Sequence, residues 1–281
     1  MTMPLLFREA LPTVSRTRLA LHYEISGNGD GPALVMVPGW TLNSRLWDKV
    51  AGPLGERFRV VRYDPRGTGL STSSVVDEYS RVADAEDLEA LLDGLKIDKA
   101  VLVGHSKGAR VCGVFAMQHP ERVTRLIYVG SAEPHGGREL ERNFRPIASA
   151  WAADVKRIAR EEGLGAAMEK LQSGNLFGKL RASPDGMKLL RLAVEGYQGA
   201  DLLSDVPPRV YDTQEGASAL GMPVLVLCGE SDPFLDECRF AAAALPAARL
   251  VVLEGCGHMP MLECPEAFIR EVAAFLREAN P

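Results

Sequence analysis

The stretch Val101-Leu102-Val103-Gly104-His105-Ser106-Lys107-Gly108 decides how this chain is read. Its first three residues are apolar without alternation, which predicts a strand buried on both faces. Gly-x-Ser-x-Gly follows at once, and Ala109, Val111 and Phe115 then continue at helical spacing. A strand that passes directly into a helix must bend sharply, and side chains at 104 and 108 would collide with the neighbouring strand and helix. A serine at that bend projects its hydroxyl above the strand end. It also lies at a helix N-terminus, where backbone N–H groups and the dipole favour developing negative charge. Ser106 is therefore the candidate nucleophile; the plainer alternative is a glycine-rich turn that happens to hold a serine.

A serine hydroxyl needs a base to take its proton. Of the five histidines, His258 stands apart. It follows the last apolar run, in Glu254-Gly255-Cys256-Gly257-His258-Met259-Pro260, a loop at the C-terminal end of a strand where open α/β sheets gather their catalytic groups. A third group should orient the imidazole, and Asp232 in Gly229-Glu230-Ser231-Asp232-Pro233 follows the strand run Val224 to Cys228. Glu230 and Glu133 are weaker candidates for that role.

Outward from this centre, short apolar runs alternate with helical patterns, which predicts a mostly parallel sheet covered on both faces. The runs are Ala33 to Val37, Phe58 to Tyr63, Ala100 to Val103, Leu126 to Val129, Val224 to Cys228 and Leu250 to Leu253. Arg16 to Ile25 alternates more and predicts an antiparallel edge. Helices are expected over Val82 to Leu95 and around Phe268, Val272 and Phe275. Between Glu133 and Tyr211 no strand pattern occurs. A helical stripe of Ile147, Trp151, Val155 and Ile158 gives way at Gly163-Leu164-Gly165 to Ala166 to Leu171. A turn at Ser183-Pro184-Asp185-Gly186 and a helix over Met187 to Val194 are expected next. The division expected is a core over 1–132, a helical insertion over 133–215 and the rest of the core over 216–281.

The bulk properties narrow the function. The chain has 281 residues, 46% of them hydrophobic and 25% charged, with a net charge of −5, the profile of an ordinary globular domain. No basic block appears, which argues against nucleic acid as a partner. No apolar run approaches the roughly 18 residues that span a bilayer, and no signal-peptide pattern is read at the N-terminus. Cys112, Cys228, Cys238, Cys256 and Cys264 fit no zinc or CxxC spacing, so buried free thiols in a reducing cytoplasm are expected. No metal-ligand spacing appears and no cofactor is expected.

With Asp64-Pro65-Arg66-Gly67-Thr68-Gly69-Leu70-Ser71 and Gly257-His258-Met259-Pro260-Met261-Leu262-Glu263-Cys264-Pro265 added to the serine motif, the chain resembles the α/β-hydrolase superfamily. The branch it resembles is that of small serine esterases, lactonases and cofactor-free haloperoxidase-like proteins, over nearly the whole length. The resemblance implies an oxyanion hole formed by the N–H groups of Trp40 and Lys107, and a helical cap formed by the insertion. Gly39, Trp151 and Phe144 are the expected pocket residues, with Phe177, Met168 and Tyr197 as further apolar candidates. Pro38-Gly39 replaces the His-Gly common in relatives. Lys107 stands where many carry an apolar residue; it either pairs with a carboxylate or anchors an anionic substrate. Arg66 is read as a structural ion pair.

The activity expected is cofactor-independent hydrolysis of a small-molecule carboxylic ester or lactone. Carbon–carbon bond hydrolysis, acyl transfer to an alcohol or peroxide, and a receptor role on the same fold are the alternatives. The sequence leaves the natural substrate and the oligomeric state open.

Overall fold

The computed structural model describes residues 8–9, 19–132, 138–211, 220–245 and 247–278; for 8, 9 and 138–149 it describes the backbone alone. Seven strands form the main sheet: β3 (Tyr23–Gly27), β4 (Ala33–Val37), β5 (Arg59–Tyr63), β6 (Ala100–His105), β7 (Val123–Val129), β8 (Val224–Gly229) and β9 (Ala248–Leu253). Their order is β3-β5-β4-β6-β7-β8-β9, with β3 antiparallel to β5 and every other pair parallel. A small separate pair joins β1 (Arg8–Glu9) to β2 (Ala20–Leu21). The single edge strand expected over Arg16 to Ile25 is thus divided. Ala20 and Leu21 leave the main sheet, and only from Tyr23 does the chain pair with β5.

Unbroken apolar runs are explained by the two faces they feed. Leu34, Met36, Val101, Val103, Ile127, Val129, Leu225 and Leu227 point to one side. There they meet Leu46 and Trp47 of the turn Ser44–Trp47, Val50 of α1 (Asp48–Gly55), and Phe268, Val272 and Phe275 of the C-terminal α11 (Pro265–Arg277). Their neighbours Val35, Leu102, Leu126, Tyr128, Val224 and Val226 point to the other side. They cover α2 (Arg81–Gly94), α3 (Lys107–Gln118) and α9 (Leu235–Ala244) through Leu88, Leu92, Phe115, Cys238 and Ala241. Alternate residues of a strand face opposite ways, so a strand sandwiched between helices has no polar face to show.

Between β7 and β8 the described chain is helical: α4 (Arg138–Glu161), α5 (Leu164–Ser173), α6 (Gly178–Arg181), α7 (Pro184–Val194) and α8 (Ala200–Leu203). The expected boundary at 215 and the residues around 133 lie outside the described residues. Ser183-Pro184-Asp185-Gly186 is not the expected turn. The Ser183 hydroxyl accepts the Gly186 N–H at 3.0 Å and Pro184 takes the first helical position, so the segment starts α7. The insertion is tied to the core at Asn43. Its side chain donates to the carbonyls of Leu192 and Glu195, both at 2.9 Å, and its N–H donates to Ala193 at 2.8 Å.

Cys112, Cys228 and Cys238 are buried free thiols, but Cys256 and Cys264 form a disulfide, against the expectation of five thiols. The short helix α10 (Pro260–Glu263) turns the chain back, bringing the two Cα atoms to 6.3 Å, within bridging distance.

Candidate active site

All the parallel strands end on one side of the sheet, and the sequence-predicted site residues leave from those ends. Ser106 follows β6 at φ 52°, ψ −117°, a conformation that costs a non-glycine residue on the order of 1–3 kcal/mol. Its N–H is held by the carbonyl of Val129 at 2.9 Å. A methyl at Gly104 would overlap Gly108 and Ala109, and one at Gly108 would overlap the carbonyls of Val37 and Pro38, so both positions require glycine. Lys107 opens α3, whose first-turn N–H groups have no acceptor within the helix. Gly39 lies over the same turn: a β-carbon there would reach 3.2 Å from Cβ of Ser106.

His258 and Asp232 are both buried and paired. Nδ1 of His258 is 3.0 Å from Oδ1 and 2.9 Å from Oδ2 of Asp232. A carboxylate accepts, so Nδ1 carries the hydrogen and Nε2 of the neutral ring is left with its lone pair. Burial pushes the Asp232 carboxyl up. The His258 hydrogen bond and the charge that ring carries when protonated, the Phe234 N–H at 2.9 Å and the Cys228 thiol outweigh it, leaving the group below the usual carboxylate value. The loop around His258 is held from three sides. Glu263 accepts the N–H groups of Gly257 and Met259, the disulfide closes the loop, and His105 donates to the His258 carbonyl. Burial raises the Glu263 carboxyl.

Lys107 pairs with Asp84 of α2, Nζ to Oδ2 at 2.7 Å, with the carboxylate buried. Arg66 takes Asp87 in a two-pronged pair, both contacts at 2.7 Å, and donates to the carbonyls of Glu78 and Ala83. Its loop is therefore clamped by structure. Trp40 and the insertion meet through Asp201, which accepts the Trp40 indole N–H and the Tyr197 hydroxyl, each at 2.6 Å. Trp151 stacks edge-on against Trp40 at 5.6 Å between ring centroids.

Ser106 and Lys107 follow β6, Gly39 and Trp40 follow the neighbouring β4, and the His258–Asp232 pair lies beyond His105, whose ring is 4.8 Å from that of His258. The side chain of Phe144 lies outside the described residues, as does Glu133. Phe177 is buried in the apolar cluster that the insertion shares with one face of the sheet and Met168 packs on that cluster, while Tyr197 lines a cavity beside Trp40. Sequence reasoning missed Asp84, Asp201 and His105. Asp84 had a signal, an acid amid Val82, Ala83, Ala85 and Leu88 on a buried helix. Asp201 had none, since its partner Trp40 is 161 residues away.

The sequence profile of the α/β hydrolase fold family matches residues 32–265. The chain is 30% identical to a pimeloyl-[acyl-carrier protein] methyl ester esterase of Nitrosomonas europaea, over 89% of this chain and 97% of that protein. It is 28% identical to 3-oxoadipate enol-lactonase 2 of Acinetobacter baylyi, over 95% and 97%. A solved esterase of Thermogutta terrifontis superposes with a TM-score of 0.79 at 25% identity, covering 97% of this chain and 98% of that one.

Proposed function

The chain belongs to the α/β hydrolase fold family, and on that premise we propose that it hydrolyses a small-molecule carboxylic ester or lactone through an acyl-enzyme on Ser106. The observation that supports this most is the buried His258–Asp232 pair, whose hydrogen on Nδ1 leaves Nε2 to act as base. Ser106 attacks the carbonyl carbon while His258 takes the hydroxyl proton. The tetrahedral oxyanion rests on the N–H groups of Trp40 and Lys107. His258 returns the proton to the leaving alkoxide, the alcohol departs, and the acyl group stays on Ser106. Water then attacks with His258 again as base, releasing the acid. Asp232 holds the ring and stabilises the imidazolium in both halves. The insertion expected over 133–215 serves as a cap, with Trp151, edge-on against Trp40, beside the pocket. The relatives named for ester and enol-lactone hydrolysis support the substrate class.

The test is a panel of p-nitrophenyl esters and lactones of graded size, with Ser106→Ala as control. Turnover that falls by on the order of 10^4 or more in Ser106→Ala, with fluorophosphonate labelling confined to Ser106, supports the reading. Undiminished turnover in Ser106→Ala overturns it.

A further inference from the structure

A cavity of about 20 Å³ opens beside Trp40 and Lys107, between the core and the insertion. That is room for roughly one water-sized group. Its wall carries polar atoms that the protein leaves open. Thr41 is 1% exposed, and its Oγ1 has no hydrogen-bond partner among the described residues. Asp84 is 4% exposed. The Lys107 ammonium sits 2.7 Å from its Oδ2 as an ion pair without hydrogen-bond alignment, and Arg66 Nε lies 3.9 Å from Oδ1. Asp201 on the same wall is different, since both its oxygens are engaged by Trp40 and Tyr197. Among the described residues Thr41 Oγ1 has no partner and Asp84 Oδ1 has none within hydrogen-bond distance, while Oδ2 faces Lys107; such buried open sites cost free energy unless a ligand group or a water completes them.

We propose that this cavity is a subsite for a neutral hydroxyl group on the substrate's acyl chain, donating to Asp84 and accepting from Thr41. The inference rests on the ester-hydrolase reading and narrows it to hydroxyacyl esters and lactones. A substrate carboxylate is disfavoured, because it would face Asp84 with Lys107 already neutralised. An ammonium is disfavoured too, because Lys107 and Arg66 already supply Asp84 with positive charge. A methyl group of the same size fills the space but leaves Thr41 Oγ1 and Asp84 Oδ1 without a hydrogen bond.

The experiment pairs p-nitrophenyl esters bearing a hydroxyl at C2, C3 or C4 with isosteres carrying methyl there, such as 3-hydroxybutanoate against 3-methylbutanoate. At least one hydroxy ester should exceed its isostere in kcat/KM by about 10-fold or more, the expected scale for a hydrogen bond to a charged acceptor. Thr41→Val, equal in shape, should bring that ratio towards one, and Thr41→Ser should retain it. The same pairs made as amides and titrated calorimetrically against Ser106→Ala read the preference without turnover. Ratios near one in the wild type, in both rate and binding, overturn the subsite and mean that the cavity holds only water. A ratio untouched by Thr41→Val overturns the assignment to Thr41 and Asp84. Loss of all Ser106-dependent turnover with a preserved binding preference would instead overturn the hydrolase reading alone.

Discussion

His105 lies against His258, ring to ring, and its Nε2–H donates to the His258 carbonyl at 2.9 Å. The other nitrogen, Nδ1, has no hydrogen-bond partner among the described residues, and Gly39 leaves it no room for a side chain above. Burial, with the His258 charge in second place, holds the His105 imidazole down to about 3. His105 is therefore neutral in the fold and protonated below about 6.5 once unfolded. The unfolded state binds the extra proton between those values, so this group's contribution to stability is complete above pH 6.5 and is lost as pH falls towards 3. At pH 5 the loss is about 2 kcal/mol relative to pH 7. Urea midpoints at pH 7 and pH 5 should drop further in the wild type than in His105→Gln. An equal drop in both means that other groups set the acid lability.

Asp232→Asn keeps the shape of the pair but offers an amide where His258 needs an acceptor. The histidine hydrogen then settles on Nε2, the nitrogen that takes the proton from Ser106 in the proposed mechanism. The expected cost is on the order of 10^4 in kcat with the thermal midpoint little changed. The wild-type carboxyl lies below its usual value, so its stabilising contribution is full above about pH 4 and fades only below that. Near-wild-type kcat in Asp232→Asn would remove Asp232 from the mechanism.

The Cys256–Cys264 bridge closes a loop that contains His258. Protein denatured without reductant should show three reactive thiols, and five after reduction. In the chain-entropy view, closing so short a loop stabilises by about 2.5 kcal/mol, so Cys264→Ala should lower the urea midpoint and loosen His258, reducing kcat as well. Five thiols without reductant would mean that the pair is not bridged.

How much of this was legible in sequence follows from how local each feature is. The turn at Ser106 is written in the eight residues Val101 to Gly108, because strand, glycines and helix must be adjacent for the bend to form. The strand runs are equally local, and their ends shifted by a few residues, as when β7 begins at Val123 rather than Leu126 and β5 at Arg59 rather than Phe58. The disulfide was missed because the turn of α10 between its cysteines carries no cysteine-spacing signal. The polar ties between core and insertion, Asn43 to the carbonyls of α7 and Trp40 to Asp201, join residues well over a hundred apart, beyond any periodicity. The Ser183 segment misled for the opposite reason: Ser-Pro-Asp-Gly suits a turn and a helix start equally well, and packing against the core chose the helix.

The Trp40–Asp201 bond reaches from the proposed oxyanion loop into the insertion, and the Tyr197 hydroxyl shares the carboxylate. Asp201→Ala leaves an indole N–H and a phenol without their acceptor. If the bond positions the Trp40 backbone N–H, kcat should fall about 10- to 100-fold, a loss of one well-placed donor, with KM changing less. Asp201→Asn, which still accepts from one partner, should fall between. A drop in thermal midpoint with kcat unchanged would make the bond a structural tie only.

Lys107 sits beside Ser106, the proposed nucleophile, where a free ammonium would select anionic substrates. Its pairing with Asp84 at 2.7 Å argues otherwise, because the charge facing the site is already balanced by a buried carboxylate. Lys107→Met should therefore act through Asp84. Removing one partner of a buried pair strands the other charge, and a fully enclosed case costs about 3–5 kcal/mol. The lysine side chain is 30% exposed, so solvent screening reduces the figure to roughly 1–3 kcal/mol. Adding Asp84→Asn to Lys107→Met should restore much of that stability, since the stranded charge is gone. Catalysis should fall by similar factors on an anionic and a neutral ester of equal size, because the backbone N–H of residue 107 survives the change. A loss on the anionic ester at least 10-fold greater than on the neutral one would show that Lys107 binds substrate charge after all, and that the Asp84 pair opens when substrate enters.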